Sequence, residues 1–321
     1  MNKKNRKKIL IQIDPIEQLN AKTDSSLLLA KEALKRGHFV MYSNPLDLNI
    51  INNKIIVTVK QLKLDKGKIK YICSSESNIE ISKFDIILIR QDPPFDMKYI
   101  TNTYLIDLGC IRSTKKFPFI VNNPTGIRSF TEKIFPLIFE DIIPITCITS
   151  NPKIITNFLK KYKKIVIKPL YEKGGDGIFM VQKDDPNMLS IISSATNNFS
   201  EQIILQEYLN EVSKGDKRVI LIDGEPVGAV NRIPSKNNFK ANLHLGGTPK
   251  KTILSKKELK ICSLIKPFLK KNGFFFVGID IIGEKLTEIN VTSPTGISQI
   301  NKLNNTNLES IFWKKLEQKF N

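Results

Sequence analysis

The chain has 321 residues, 41% of them hydrophobic, which is enough for roughly two or three domains and a substantial core. No apolar run is long enough to span a bilayer, and the basic opening Met1-Asn-Lys-Lys-Asn-Arg-Lys-Lys8 leads into an apolar run that stops at Asp14-Pro15, too short for a secretory signal. The net charge of +19 comes from lysines spread along the whole chain among Asn and Ile, so it attracts anions diffusely and marks no specific nucleic-acid site, while four cysteines without a CxxC pair fit free thiols in a reducing cytoplasm.

Ile9 to Ile13 reads as a first strand, ended by Asp14-Pro15. Asp24 is a helix N-cap before Leu27, Leu28, Ala30, Ala33 and Leu34 at helical spacing, and Gly37 closes that helix. Phe39 to Tyr42 is the next strand, so the chain opens as a βαβ unit and predicts a parallel sheet. The glycine-rich dinucleotide fingerprint is missing after the first strand, which argues against a Rossmann cofactor site. Ile55 to Leu64 alternates and turns at Asp65-Lys-Gly67 into Lys68 to Cys73, a hairpin. Asp85 to Ile89 is a buried strand that runs into Arg90-Gln-Asp-Pro-Pro-Phe-Asp96. That loop is either a ligand holder whose arginine forks a carboxylate or an ordinary turn with a surface arginine. Phe119 to Val121 is a short strand, Asn122-Asn-Pro124 closes the first domain, and a helix is expected over Arg128 to Phe139, carrying Lys133 and kinked or restarted at Pro136.

Ile165 to Pro169 is a strand with Lys168 near its end, and the loop Glu172-Lys-Gly-Gly-Asp-Gly177 leads into a strand over Ile178 to Val181. The loop either brings backbone amides to phosphate oxygens or is a plain hairpin turn; with no GK[ST] opening a helix it is not a P-loop. Ile203 to Leu209 is a strand leading into a linker whose backbone can meet an adenine edge, with Glu207 nearby. Lys217 to Ile222 and Val227 to Val230 form a ribbon turning at Asp223-Gly224, with Arg218 and Arg232 on it. Asn231 to Gly247 is long, polar and patternless, a lid or mobile padding. Ser255 caps a helix to about Lys271, and a last helix runs from about Asn307 to Phe320 with Leu308, Ile311, Phe312, Leu316 and Phe320 on one face. Between them, Phe276 to Thr295 reads as two apolar strands joined at Gly283-Glu284-Lys285. Glu288 and Asn290 share a strand face that Asp280 can reach across the hairpin. This is a hard-oxygen cluster suited to Mg2+ completed by phosphates, or else a set of strand polar residues facing water.

The order Lys133, Lys168 with its glycine loop, Gln206-Glu207, Asp216 with Arg218, then Asp280, Glu288 and Asn290 resembles an ATP-grasp carboxylate–amine ligase. The phrases Asp14-Pro-Ile16, Lys22-Thr-Asp-Ser-Ser26, Arg90-Gln-Asp-Pro-Pro-Phe-Asp96, Gly215-Asp-Lys-Arg-Val219, Asp223-Gly-Glu-Pro226 and Thr287-Glu-Ile-Asn-Val-Thr-Ser-Pro-Thr295 are similar to those of the bacterial glutathione synthetase family across nearly the whole chain. The resemblance implies an α/β fold with α+β character in the C-terminal half. Residues 1–123 would form an N-terminal parallel α/β domain, 124–210 the central ATP-grasp subdomain and 211–321 the C-terminal subdomain with the metal site. It implies ligation of γ-glutamylcysteine to glycine with ATP, through an acyl phosphate, in the cytoplasm. By the same resemblance Asp280, Glu288 and Asn290 hold Mg2+ or Mn2+, and Lys133 and Lys168 meet the ATP phosphates. Gly174, Gly175 and Gly177 close over those phosphates. Gln206, Glu207 and Leu209 contact adenine and ribose, with Asp216 beside them. Arg218 and Arg232 are the catalytic basic groups near the transferring phosphoryl. Arg90, Asp92, Lys240, Asn242, Gly246, Gly247, Ser293 and Thr295 hold the peptide. The family's lid arginine is replaced by Lys240, which supplies the charge without the bidentate fork. No specific nucleic-acid or membrane partner is implied; a homo-oligomer, a tetramer by resemblance, is. Another ATP-grasp ligase with a different acid and amine is the alternative, and the first-domain phrases favour glutathione.

Overall fold

The computed structural model describes residues 6–66, 68–71, 76–111, 118–172, 174–235, 240–242 and 245–320. The opening βαβ unit forms as the sequence predicts. β1 (Lys8–Gln12) is followed by α1 (Ser25–Lys35) and by β2 (Phe39–Ser43), which pairs with β1 in parallel. The Asp24 side chain accepts the Leu27 N–H at 2.8 Å and so satisfies one of the free donors at the start of α1. β3 (Leu48–Ile51), β4 (Lys54–Asp65), β5 (Lys68–Tyr71), β6 (Ser77–Glu80), β7 (Ile86–Ile89), α2 (Met97–Ile111) and β8 (Phe119–Val121) complete an eight-stranded sheet. Its order is β3-β4-β2-β1-β7-β8, with β5 and β6 both paired to β4. β1, β2, β7 and β8 are mutually parallel, while β4 runs antiparallel to β2. The hairpin expected to end at Cys73 turns back as far as Tyr71, and Cys73 itself lies outside the described residues.

The helix expected over Arg128 to Phe139 does not form. α3 covers Pro124–Ser129, capped by Asn123 with proline at its first turn, and Phe130 is extended. A single 3-10 turn then occupies Phe135–Ile138. Pro136 has no N–H to give to the Glu132 carbonyl and so cannot sit in the interior of one continuous helix, and the apolar spacing is realised as two short pieces instead.

β9 (Thr146–Thr149), α4 (Pro152–Tyr162), β10 (Lys164–Pro169), β11 (Phe179–Gln182), α5 (Met188–Ala195) and β12 (Ile203–Glu207) make a four-stranded antiparallel sheet in the order β11-β10-β12-β9. β13 (Asp216–Ile222), β14 (Glu225–Ile233), β15 (Thr248–Lys251), α6 (Lys256–Lys271), β16 (Phe276–Ile282) and β17 (Lys285–Asn290) build a five-stranded antiparallel sheet in the order β15-β14-β13-β16-β17. α6 starts at a capping box between Ser255 and Glu258. The loop expected from Asn231 starts later than read: β14 continues to Ile233, so Asn231 and Arg232 are strand residues paired to Lys217 and Asp216. Residues 236–239 and 243–244 of the expected lid lie outside the described residues. α7 (Ile297–Asn304) and α8 (Leu308–Glu317) end the chain.

Two large hydrophobic cores run through both the first and the third sheet. One joins Leu10, Ile87 and Ile89 to Val219, Ile279 and α6; the other joins Ile9, Ile11 and α1 to Ile220, Phe276 and α8. The four-stranded sheet keeps a separate, smaller core of Ile155, Leu159, Ile165, Ile167, Val181, Ile192, Ile203 and Leu205. α8 is pinned to α1 by the Trp313 Nε1–H, which donates to the Leu29 carbonyl at 2.8 Å, and by Glu317, which accepts from Arg36 and meets His38. Among the described residues no helix is long and apolar enough to cross a membrane.

Candidate active site

The hairpin of β16 and β17 has the register the sequence suggested, with Asp280 opposite Glu288 and Gly278 opposite Asn290. Ile279 and Ile281 go to the core, so period-two alternation sends Asp280 to the other face. Strand β13 flanks β16 and places Arg218 directly opposite Asp280. Arg218 donates from Nε to Oδ1 at 2.5 Å and from Nη2 to Oδ2 at 2.9 Å, a bidentate fork. Next along the sheet, Arg232 on β14 lies opposite Asp216, donates to its Oδ2, and stands 3.0 Å from Asp280 Oδ1. The result is a buried row of alternating charge, Arg218–Asp280–Arg232–Asp216. Burial alone would raise the Asp280 carboxyl, but Arg218 and Arg232 outweigh it and hold it well below the usual carboxylate range. Asp216 goes the other way: burial and the neighbouring Asp280 charge lift it, and Arg232 offsets only part of that.

Facing this row across a cleft of about 490 Å³ is the four-stranded sheet. From it come Lys168, whose Nζ lies 4.0 Å from Glu288, and Gln206, whose amide donates to Thr146 Oγ1 at 3.0 Å. Glu207 accepts the Ile145 N–H at 3.0 Å, which fixes the strand that leads into Leu209. Lys133 Nζ donates to the Pro169 carbonyl at 2.9 Å and to the Glu172 carbonyl, tying down the entrance of the glycine loop. Burial lowers the Lys133 ammonium, with Glu288 acting against that shift. Gly175 has φ +90°, and a Cβ there would come within 3.1 Å of both Asn242 Oδ1 and Leu245 Cδ1. The loop therefore packs closely against the described part of the expected lid.

Of the residues singled out in the sequence, Lys133, Lys168, Gly174, Gly175, Gln206, Glu207, Leu209, Asp216, Arg218, Arg232, Asp280, Glu288 and Asn290 all line this one cleft, together with Asp92, Lys240, Asn242, Ser293 and Thr295. Gly177, Gly246 and Gly247 are not among its lining residues, and neither is Arg90. Arg90 is buried behind the wall: Nε donates to Ser26 Oγ at 3.0 Å, Nη2 to the Pro294 carbonyl at 2.9 Å, and the guanidinium stacks over Phe276. It braces the Ser293–Thr295 segment rather than facing the cleft. The sequence reading passed over Glu132 and Thr292, which also line the cleft, and the apolar liners Val166, Ile178, Val212 and Ile282. The adjacency of Glu132 to Lys133 was the available signal for the first; nothing local marks the others.

Among the described residues no group of three His, Cys, Asp or Glu side chains is placed to hold a metal unaided. What converges instead is two carboxylates and an amide. Asn290 turns its Nδ2 toward the Gly278 carbonyl at 3.2 Å and Asp280 Oδ2 at 3.4 Å. Such a donor set fits a hard divalent cation that brings further oxygens with its ligand.

The cleft between the two antiparallel sheets sets Lys168 on one wall against a carboxylate–guanidinium row on the other, with Lys133 at the glycine loop, and the ATP-grasp domain that matches residues 132–305 makes the chain an ATP-grasp ligase. The chain superposes on the ATP-grasp ligase PsnB with a TM-score of 0.64 at 14% identity, covering 97% of this chain and 99% of that one. Within that class, the chain belongs to the prokaryotic glutathione synthetase family: the family's N-terminal domain matches residues 8–128 and its ATP-grasp domain residues 132–305. It is 42% identical to the glutathione synthetase of Agrobacterium fabrum over 314 residues, 98% of this chain and 97% of that protein. It is 39% identical to that of Buchnera aphidicola over 321 residues, 99% of each.

Proposed function

We propose that the chain ligates γ-glutamylcysteine to glycine with ATP as co-substrate. The cysteinyl carboxylate oxygen attacks the γ-phosphorus and ADP leaves. The glycine amine then attacks the acyl carbon of the resulting acyl phosphate, inorganic phosphate departs and the amine gives up a proton. The observation that carries the reading is the meeting, in one cleft, of Lys133 and Lys168 with Asp280, Glu288 and Asn290. Lys133 and Lys168 neutralise phosphate oxygens, and Arg218 and Arg232, held in place by Asp280 and Asp216, present fixed N–H donors to the transferring group. Asp280, Glu288 and Asn290 would hold Mg2+ or Mn2+, which supplies charge neutralisation between phosphates when bound. Gln206, Glu207 and Leu209 take the nucleoside end with Asp216 beside the ribose, Gly174, Gly175 and Gly177 close over the phosphates, and Asp92, Lys240, Asn242, Gly246, Gly247, Ser293 and Thr295 hold the peptide, with Arg90 behind them. The same reading divides the chain at residues 123 and 210 and makes the enzyme a cytoplasmic homo-oligomer, a tetramer.

The test is a substrate panel. ATP-dependent phosphate release is measured with γ-glutamylcysteine plus glycine and with other acid–amine pairs, D-alanine with D-alanine among them. Release with the first pair is expected; release only with a different pair overturns glutathione synthesis and leaves an ATP-grasp ligase of another specificity.

A further inference from the structure

The stretch between α3 and the 3-10 turn at Phe135–Ile138 belongs to no helix or strand, yet it is anchored from behind. Phe130 and Phe135 pack together and against Phe268 of α6 and Phe274, with ring centroids 4.2 to 6.2 Å apart. From this base two adjacent residues reach in different directions. The Glu132 carbonyl accepts the Ile289 N–H at 3.0 Å, and its Oε1 accepts the Thr292 hydroxyl at 2.6 Å and the Thr292 N–H at 3.3 Å. These contacts fall on either side of Asn290, one residue after Glu288 and one before Ser293. Lys133 meanwhile holds the Pro169 and Glu172 carbonyls at the entrance of the glycine loop. Thr292 is 4% exposed, so its hydroxyl and N–H have no water to fall back on if Glu132 is lost. Beyond Thr292 the backbone is held again, by Ser293 Oγ on the Arg90 carbonyl at 3.2 Å and by Arg90 on Pro294.

We propose that Glu132 is a positioning residue: through Thr292 it sets the segment that carries Glu288 and Asn290 on one side and Ser293 to Thr295 on the other, and with Lys133 it fixes the distance from that segment to the glycine loop. What Glu132 contributes here is its acceptor oxygen, not its negative charge. The inference rests on the ligase reading above, because it supposes that the cleft positions a peptide acid against a nucleotide.

The full-length chain is assayed first for phosphate release with ATP, γ-glutamylcysteine and glycine; an inactive parent removes the glutathione reading on which the inference rests. With an active parent, Glu132→Ala, Glu132→Gln and Thr292→Val are compared by kcat, by KM for each substrate, by ADP affinity in calorimetry and by thermal midpoint. Misplacing the segment by an ångström is expected to lower kcat about 100-fold in Glu132→Ala, a larger effect than on ADP affinity. Glu132→Gln keeps an acceptor oxygen and is expected to restore most of that loss, and Thr292→Val, which loses one of the two bonds at nearly constant volume, to lower kcat by about tenfold. A Glu132→Ala protein with a lower midpoint but normal kcat overturns the proposal, since the residue is then structural only. A Glu132→Gln protein as impaired as Glu132→Ala overturns it too, because charge would then be what matters. Should Glu132→Ala not fold, Thr292→Val decides, and a normal kcat there refutes the assignment.

Discussion

The two sheets that face each other across the cleft are built on opposite principles. The five-stranded sheet shares both large cores with the N-terminal sheet, and its cleft face carries Asp216, Arg218, Arg232 and Asp280 locked to one another. The four-stranded sheet has a core of its own and offers the cleft Val166, Lys168, Gln206 and Glu207. Fixed dipoles and charges do most for a reaction when they need no reorganisation, so they belong on the wall that shares its cores with the N-terminal sheet. The wall with the separate core can move as a body without opening either larger core.

The sharpest way to break this contrast is Asp280→Ala. Arg218 and Arg232 would then lie buried side by side without their shared carboxylate, and a loss of about 3–5 kcal/mol is expected in denaturant unfolding. A loss near zero would mean that the row is not interlocked. On the opposite wall, Lys168→Ala removes a charge but no core contact. The ATP concentration giving half-maximal rate should rise about tenfold, with KM for the peptide and the thermal midpoint nearly unchanged; an unaltered ATP response would take Lys168 away from the phosphates. Smaller again is Ile167→Val in the separate core, expected to cost about 1 kcal/mol. Its signature is local: faster proteolysis and amide exchange within residues 146–207, with β1 and β16 protected as before. Exchange that rises everywhere would show that the two walls unfold as one unit.

The smallest effect concerns the shared core. His38 accepts the Lys7 N–H at Nδ1 and meets Glu317 at Nε2, an arrangement that suits the neutral ring. Burial lowers its pKa below 6.5, and the Glu317 contact opposes this only in part. The unfolded chain therefore binds more protons than the folded one as pH falls below about 6.5, so the His38 contribution lowers stability on acidification until the folded ring also protonates. His38→Gln should flatten the stability profile just below about pH 6.5; an unchanged slope would assign it to other groups.

Much of this was legible in the residue order. Asp24, Gly37, Ser255 and the turn at Gly283-Glu284-Lys285 act through contacts a few residues away, so their elements fell where local rules put them. Asp280, Glu288 and Asn290 were visible because acids inside an apolar hairpin have few other uses. Arg90 shows the converse: a cation after a parallel strand looks the same in sequence whether it faces the cleft or braces Pro294 from behind. The contact of Glu132 with Thr292 was not legible, because the two lie 160 positions apart.

The sequence by itself determined the opening βαβ unit, the Asp24 and Ser255 caps, the oxygen cluster on β17 and its partner strand, and the glycine loop, since each depends on spacing of two to four residues or on a turn. Tertiary structure alone decided that the central sheet keeps a private core while the first and third share theirs, that Arg218 and Arg232 neutralise Asp280, and that Glu132 and Lys133 tie two distant loops together. Those outcomes depend on which faces meet after the chain has closed long loops, and no local pattern encodes such a meeting.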